Sequence, residues 1–143
     1  MSAVFMGEYL HTLDPKGRVI LPARYRTHLE GGLVFAPGQD HCIEVYTASE
    51  FDRRVETLTE VTREDPRNRA VLRVFLAGAH SDTPDSQGRV TVPPSLRTYA
   101  RLTRDLTIIG NGERLEIWDR ELWDEYRTGA EEQLAGLDSP LLR

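Results

Sequence analysis

Two short stretches of this 143-residue chain bring together residues suited to binding anions. Asp14-Pro-Lys-Gly-Arg18 and Asp85-Ser-Gln-Gly-Arg89 share the pattern Asp-x-x-Gly-Arg. In each, the aspartate can cap a turn, the glycine supplies a backbone conformation other residues resist, and the arginine can pair with the aspartate across it. That reading accounts for the turn-forming residues Asp14, Gly17, Asp85 and Gly88 with no further function. It accounts less well for Arg18 and Arg89, because an exposed ion pair contributes about 0–1 kcal/mol and does not require arginine in both places. A rigid basic tip suits phosphate or guanine, where the planar guanidinium meets two acceptors at once. Lys16 and Arg18 make the stronger tip, with Arg24 in the same basic stretch, while Gln87 and Arg89 make a second tip of lower charge.

Other chemistry finds little support. No Ser or Cys sits in a nucleophile-elbow pattern, and no glycine-rich phosphate loop is present. His11, His28, His41 and His80 lack the i, i+4 spacing of a helical metal site. His41-Cys42 is the one soft-ligand pair, but adjacent residues on a strand point to opposite faces. No enzyme activity, metal, cofactor or small-molecule substrate is expected. The single cysteine, Cys42, is expected to be structural rather than reactive.

With 39% hydrophobic and 29% charged residues, the composition is that of a folded soluble domain rather than a disordered tail. The apolar runs are far shorter than the roughly 20 residues of a spanning helix, and the N-terminus lacks a secretory pattern. A reducing cytoplasm is the expected location. The net charge of −5 argues against a generic basic nucleic-acid coat. Its distribution qualifies that: the excess acid lies in residues 113–143, whereas Asp14 to Arg26 carries four cations against one acid. Exposed charges are screened beyond about 8 Å at physiological salt, so local clusters matter more than the total.

The two tips belong to an internal repeat. Asp14–Arg26 aligns with Asp85–Arg97 at a constant offset of 71, with Asp, Gly, Arg, Val, Pro and Arg identical. Upstream, Phe5-Met6-Gly7 matches Leu76-Ala77-Gly78. Downstream, after a one-residue slip, Ile43-Glu-Val-Tyr46 matches Leu115-Glu-Ile-Trp118 and Phe51 matches Trp123.

Each copy predicts the same elements. Val4–Leu13 reads as a strand, Asp14–Gly17 as a type I turn, and Arg18–Leu21 as a return strand. Pro22, lacking an N–H, stops the ladder and opens a short helix through Leu29. Leu33–Ala36 with Ile43–Tyr46, and Leu106–Ile109 with Leu115–Trp118, are hairpins, the latter turning at Asn111-Gly112. Thr47 and Glu50 have capping-box spacing ahead of Phe51, Val55 and Leu58. Asp119 can cap a second helix bearing Leu122, Trp123 and Tyr126. Asp65-Pro66 starts a linker helix whose apolar face is Ala70, Val71, Val74 and Phe75. Gly136 to Arg143 lack periodicity and are expected to fray.

One copy of about 45 residues is too small to bury a core alone. The expected fold is α+β: a small barrel with pseudo-two-fold symmetry, strands of both copies interleaved and helices outside. The expected division is a first module at 4–51, linker helices at 52–75, a second module at 76–123, and a helix end with tail at 124–143. The three apolar helix faces exceed what one small barrel can cover, which predicts a homo-oligomer.

The tandem Asp-x-x-Gly-Arg-Val-x-x-Pro motifs, the opening Met-Gly-Glu-Tyr strand and the hairpin ending Glu-Ile-Trp resemble the MraZ family. The resemblance runs from Val4 to about Tyr126, with Gln87 standing where the first copy has Lys16. It implies two SpoVT-AbrB swapped-hairpin modules in one chain. It further implies a sequence-specific, nucleoid-associated regulator, usually a repressor, of the division and cell-wall operon containing its own gene. The implied partners are double-stranded DNA, at short direct repeats in the promoter, and further copies of the chain in a closed ring. The rival expectation is an oligomeric protein-interaction or antitoxin-like module without a specific DNA target. Such antitoxins commonly carry one module and a disordered tail, whereas here the module is doubled and the tail short.

Overall fold

Pro22 and Pro93 each end a three-residue strand, and those two strands pair with one another rather than with their sequence neighbours. The computed structural model describes residues 4–136; the expected frayed tail beyond Gly136 lies outside them. The strands are β1 (Glu8–Thr12), β2 (Arg18–Ile20), β3 (Leu33–Pro37), β4 (Ile43–Thr47), β5 (His80–Asp82), β6 (Arg89–Thr91), β7 (Asp105–Gly110) and β8 (Leu115–Asp119). The helices are α1 (Arg26–Leu29), α2 (Ala48–Glu64), α3 (Arg69–Ala77), α4 (Pro94–Tyr99) and α5 (Arg120–Gly136). A 3-10 turn at Ala23–Tyr25 precedes α1, and another at Pro66–Asn68 precedes α3.

The halves interleave. A six-stranded antiparallel sheet runs β1-β7-β8-β4-β3-β5, and β2 with β6 forms a separate ribbon. Exchanging the halves maps β1 onto β5, β3 onto β7 and β4 onto β8, which reproduces the same order reversed. The pseudo-two-fold axis therefore passes between β4 and β8, where Glu44 faces Glu116, and between β2 and β6, where Val19 faces Val90. The expected return strand β2 does not pair with β1: β1 pairs with β7 of the other half, and the Asp14 N–H to Arg18 carbonyl and Gly17 N–H to Asp14 carbonyl bonds close the turn between them.

The α+β class and the interleaving agree with expectation, but the large sheet does not close into a barrel. Its edges are β1 and β5. Strands β2 and β6, only three residues each and ended by prolines, form a ribbon whose buried valines join the core beneath the sheet. That core takes alternate residues of every long inner strand: Leu33 and Phe35, Ile43 and Val45, Leu106 and Ile108, Leu115 and Ile117. Val19, Leu21, Val90 and Val92 meet them from the ribbon, and Tyr25, Leu29 and Leu96 from the short helical segments. Burying each such side chain contributes about 1.5–3 kcal/mol.

The sheet's other face carries a smaller cluster, in which Phe75 of α3 stacks on Phe51 of α2 at 5.8 Å and meets Tyr46 at 6.4 Å. The caps form as expected: Thr47 Oγ1 accepts from the Glu50 N–H, and Asp119 Oδ2 from the Leu122 N–H, both at 3.3 Å. On α3 the predicted apolar face divides, with Phe75 buried while Val71 and Val74 are 61% and 62% exposed. Among the described residues, no helix is long and apolar enough to cross a membrane.

Candidate nucleic-acid interface

The two Asp-x-x-Gly-Arg turns have the same hydrogen bonds. In the first, Asp14 Oδ1 accepts from the Lys16 and Arg18 backbone N–H groups at 2.8 and 2.9 Å, and Oδ2 accepts from Arg18 Nε at 2.8 Å. In the second, Asp85 Oδ1 accepts from Gln87 and Arg89 N–H, both at 2.9 Å, and Oδ2 from Arg89 Nε at 2.7 Å. Each aspartate thus holds both the turn and its arginine. Among the described residues, Nε is the only guanidinium nitrogen of Arg18 or Arg89 with a hydrogen-bond partner. The two terminal nitrogens form the fork that matches O6 and N7 of guanine.

These engagements hold the carboxyls ionised. Asp14 is kept below the usual aspartate range, chiefly by the Arg18 backbone N–H. Asp85 is lowered in the same way by the Arg89 backbone N–H and then its guanidinium. A carboxyl with a pKa lower in the folded than the unfolded state stabilises its turn above the unfolded value, and that contribution is lost as pH falls through the folded value. In an NMR titration, the Lys16 and Gln87 amide resonances are expected to hold position from about pH 8 to about pH 5 and to move only below the ordinary aspartate range. A midpoint at or above that range would contradict the turn chemistry.

Gly17 and Gly88 have φ of +77° and +78°, which favours glycine. They are also crowded. A Cβ on Gly17 would lie 2.7 Å from Arg97 Nη1, and one on Gly88 would lie 2.9 Å from Arg26 Nε. Each turn is therefore buttressed by an arginine of the other half. Arg26 and Arg97 are among the identical positions of the repeat, and that identity was the available signal for their role.

The ribbon sets the relation between the tips. Val19 and Val90 point into the core, so Arg18, Ile20, Arg89 and Thr91 share the outward face. Arg18 pairs with Thr91 and Arg89 with Ile20, which separates the two arginines by two residues, ~7 Å, along the ribbon. The structure brings Lys16, Arg18, Gln87 and Arg89 to one short ribbon and its two turns. Arg24 stands apart on the 3-10 turn, its guanidinium 5.5 Å over the ring of Tyr25.

Two of the four histidines have backbone partners. His41 Nδ1 lies 3.1 Å from the Tyr99 carbonyl and His80 Nδ1 lies 3.0 Å from the Gly78 carbonyl. Among the described residues no group of three His, Cys, Asp or Glu could hold a metal. Cys42 is buried, and burial, reinforced by Glu116 and Glu44, pushes its thiol far above the usual range. The thiolate that would react is thus suppressed.

A second matched feature of the repeat is a buried charge cluster. Glu44 and Glu116, matched between the copies, are buried side by side on the pseudo-dyad and both pair with Arg114 at 3.2 Å. Tyr46 Oη donates to Glu44 Oε1 at 2.6 Å and Trp118 Nε1 to Glu116 Oε1 at 3.1 Å. Burial works against the Arg114 charge, but Glu44, Tyr46 and Glu116 outweigh it and hold the guanidinium above its usual pKa.

The chain matches the family model of the MraZ protein twice, over residues 4–74 and 75–140. The transcriptional regulator MraZ of Clavibacter michiganensis subsp. michiganensis is 48% identical over 132 residues, 92% of each chain. The protein of the same name from Paenarthrobacter aurescens is 49% identical over 123 residues, 86% of each chain, and that from Leifsonia xyli subsp. xyli is 45% identical over 139 residues, 97% of each. With the whole repeat matched in both copies and nearly half of the residues shared with each of these relatives, the chain belongs to the MraZ family.

Proposed function

We propose that this protein is a sequence-specific DNA-binding transcriptional regulator that represses the division and cell-wall operon containing its own gene. The observation that carries the reading is the outward face of the β2–β6 ribbon, where two arginines present free guanidinium ends, each fixed by its own aspartate. A two-stranded ribbon fits the major groove, and arginine held in place by a carboxylate meets guanine with little freedom left to lose. The regulator name of the relatives supports the same reading.

The proposed site residues are Lys16, Arg18, Gln87 and Arg89 on the ribbon and its turns, with Arg24 at its margin. The modules at 4–51 and 76–123 supply one turn each. One ribbon is small and the chain acidic, so useful affinity calls for several subunits binding together. The operator is proposed as short direct repeats in the promoter, bound by a closed ring of subunits whose contacts include the exposed Val71 and Val74.

The test is binding of the purified protein to the DNA just upstream of its own gene, beside an unrelated duplex of equal length, with light scattering on the same sample. Expected are preferential binding to the upstream DNA, protection of short direct repeats, and a mass several times 16.3 kDa. Equal affinity for both duplexes would remove the sequence-specific reading, and a 16.3 kDa monomer at micromolar concentration would remove the ring. An assembled oligomer that binds neither duplex would favour the protein-interaction module instead.

A further inference from the structure

Pairing with Asp14 and Asp85 offsets the charge of Arg18 and Arg89 locally, and the chain carries −5 overall. Affinity for a duplex draws heavily on neutralising its phosphates. Lys16, the only lysine, is a small source of positive charge.

An open cleft of about 1050 Å³ adjoins the first turn, lined by Asp14 and Pro15 on one side and by Arg97, Arg101 and Arg104 on the other. Among the described residues none of these three arginines has an ion-pair partner. Asp14, in the lining, pairs with Arg18 at 2.8 Å; Asp105, next to Arg104 in sequence, lies 4.0 Å from Arg120; and Asp119 accepts from Thr103 Oγ1 of the lining at 2.6 Å. Arg97 braces Gly17, which leaves Arg101 and Arg104, both exposed, as available cations.

Arg101 holds its position against backbone preference. It follows α4 with φ +55°, in the left-handed region where a helix end favours glycine. The first copy ends its equivalent helix with Gly31-Gly32, and Thr27–Gly32 contains Glu30 and no arginine. The cleft is therefore a basic feature of the second half alone. It lies against the turn of the first half because the strands are exchanged.

We propose that Arg101 and Arg104, together with Lys16, grip the phosphodiester backbone of the duplex beside the segment facing the ribbon. The inference rests on the DNA-binding reading and extends it to residues outside the repeated motif. It makes the first tip the electrostatic anchor through residues that its own half does not supply.

The experiment compares the full-length protein with the double variant Arg101→Gln, Arg104→Gln, after circular dichroism and light scattering show both folded and equally assembled. Affinity is measured against salt for promoter DNA and for an unrelated duplex. Losing two phosphate contacts makes the slope of log affinity against log salt shallower by about 1.8 for each subunit engaged on the duplex. The two duplexes are expected to lose affinity by the same factor, because phosphate contacts carry no sequence information. Arg101→Lys, Arg104→Lys is expected to restore much of the slope. An unchanged slope, or a loss confined to the promoter duplex, overturns the proposal. Inorganic phosphate that raises the melting temperature of the parent but not of the Gln variant, with both DNA slopes equal, overturns it in favour of a free anion. A parent protein that binds neither duplex refutes the DNA-binding reading itself, and the backbone grip with it.

Discussion

Replacing Arg18 with alanine is expected to abolish specific promoter binding while leaving the fold and the assembly intact. The turn survives the change, since Asp14 still accepts from the Lys16 and Arg18 backbone N–H groups and Gly17 still bonds to the Asp14 carbonyl. What is lost is the guanidinium fork. A bidentate base contact is worth about 1–3 kcal/mol of discrimination, or roughly 5- to 150-fold at one tip. Where several subunits engage tandem repeats together, the loss compounds with each engaged tip. Arg18→Lys keeps the charge but not the fork, so it should retain weak, salt-sensitive binding without preference for the promoter. Arg89→Ala is expected to cost less, although Arg89 stands on the same outward face, because Gln87 gives its tip no charge. Binding isotherms for both variants on promoter and unrelated duplexes decide the matter. Equal losses would refute the asymmetry, and an unaffected Arg18→Ala would refute the site.

Replacing Arg114 with methionine is expected to cost about 3–5 kcal/mol of stability, because it leaves two buried carboxylates facing each other without their shared cation. Glu44 and Glu116 are 4% and 7% exposed and sit as direct partners on β4 and β8. Their hydrogen bonds from Tyr46, Trp118 and Asn111 remain, but no other cation pairs with either carboxylate among the described residues. For a chain of this length the loss corresponds to a melting temperature lower by roughly 10–15 °C. Adding Glu44→Gln and Glu116→Gln to the same variant should recover much of it, since neutral amides need no counter-ion. Thermal unfolding of the single and triple variants measures both effects. A single variant within 1 °C of the parent, about the size expected of a neutral surface change, would show that the cluster does not hold the dyad together.

The two expected losses fall on different links. Arg18 belongs to the ribbon and acts at the surface, so its removal leaves stability nearly unchanged. Arg114 is buried between the two central strands and acts on the fold. The two expected losses thus fall at different places along the pseudo-two-fold axis, which passes through the Val19–Val90 pair and the Glu44–Glu116 pair.

What could be read from the sequence alone was local. Asp14, Gly17, Asp85 and Gly88 prescribe their turns because the carboxylate caps and the positive φ are settled within five residues. Thr47 and Asp119 likewise announce helix starts that need no distant partner. The repeat itself, and with it the pseudo-symmetry, was legible as a constant offset. Interleaving of the two halves was expected, but which strand meets which was not legible, because both halves carry the same strand pattern, and that pattern fits a β1–β2 return within a copy as well as pairing between copies. Only the shared core decided it, by placing Val19 and Val90 against one sheet built from both halves. The exchange then put Arg97 under Gly17, Arg26 under Gly88, and Arg101 and Arg104 beside the wrong copy's turn. Such placements depend on contacts between residues far apart in the chain, and no local preference encodes them.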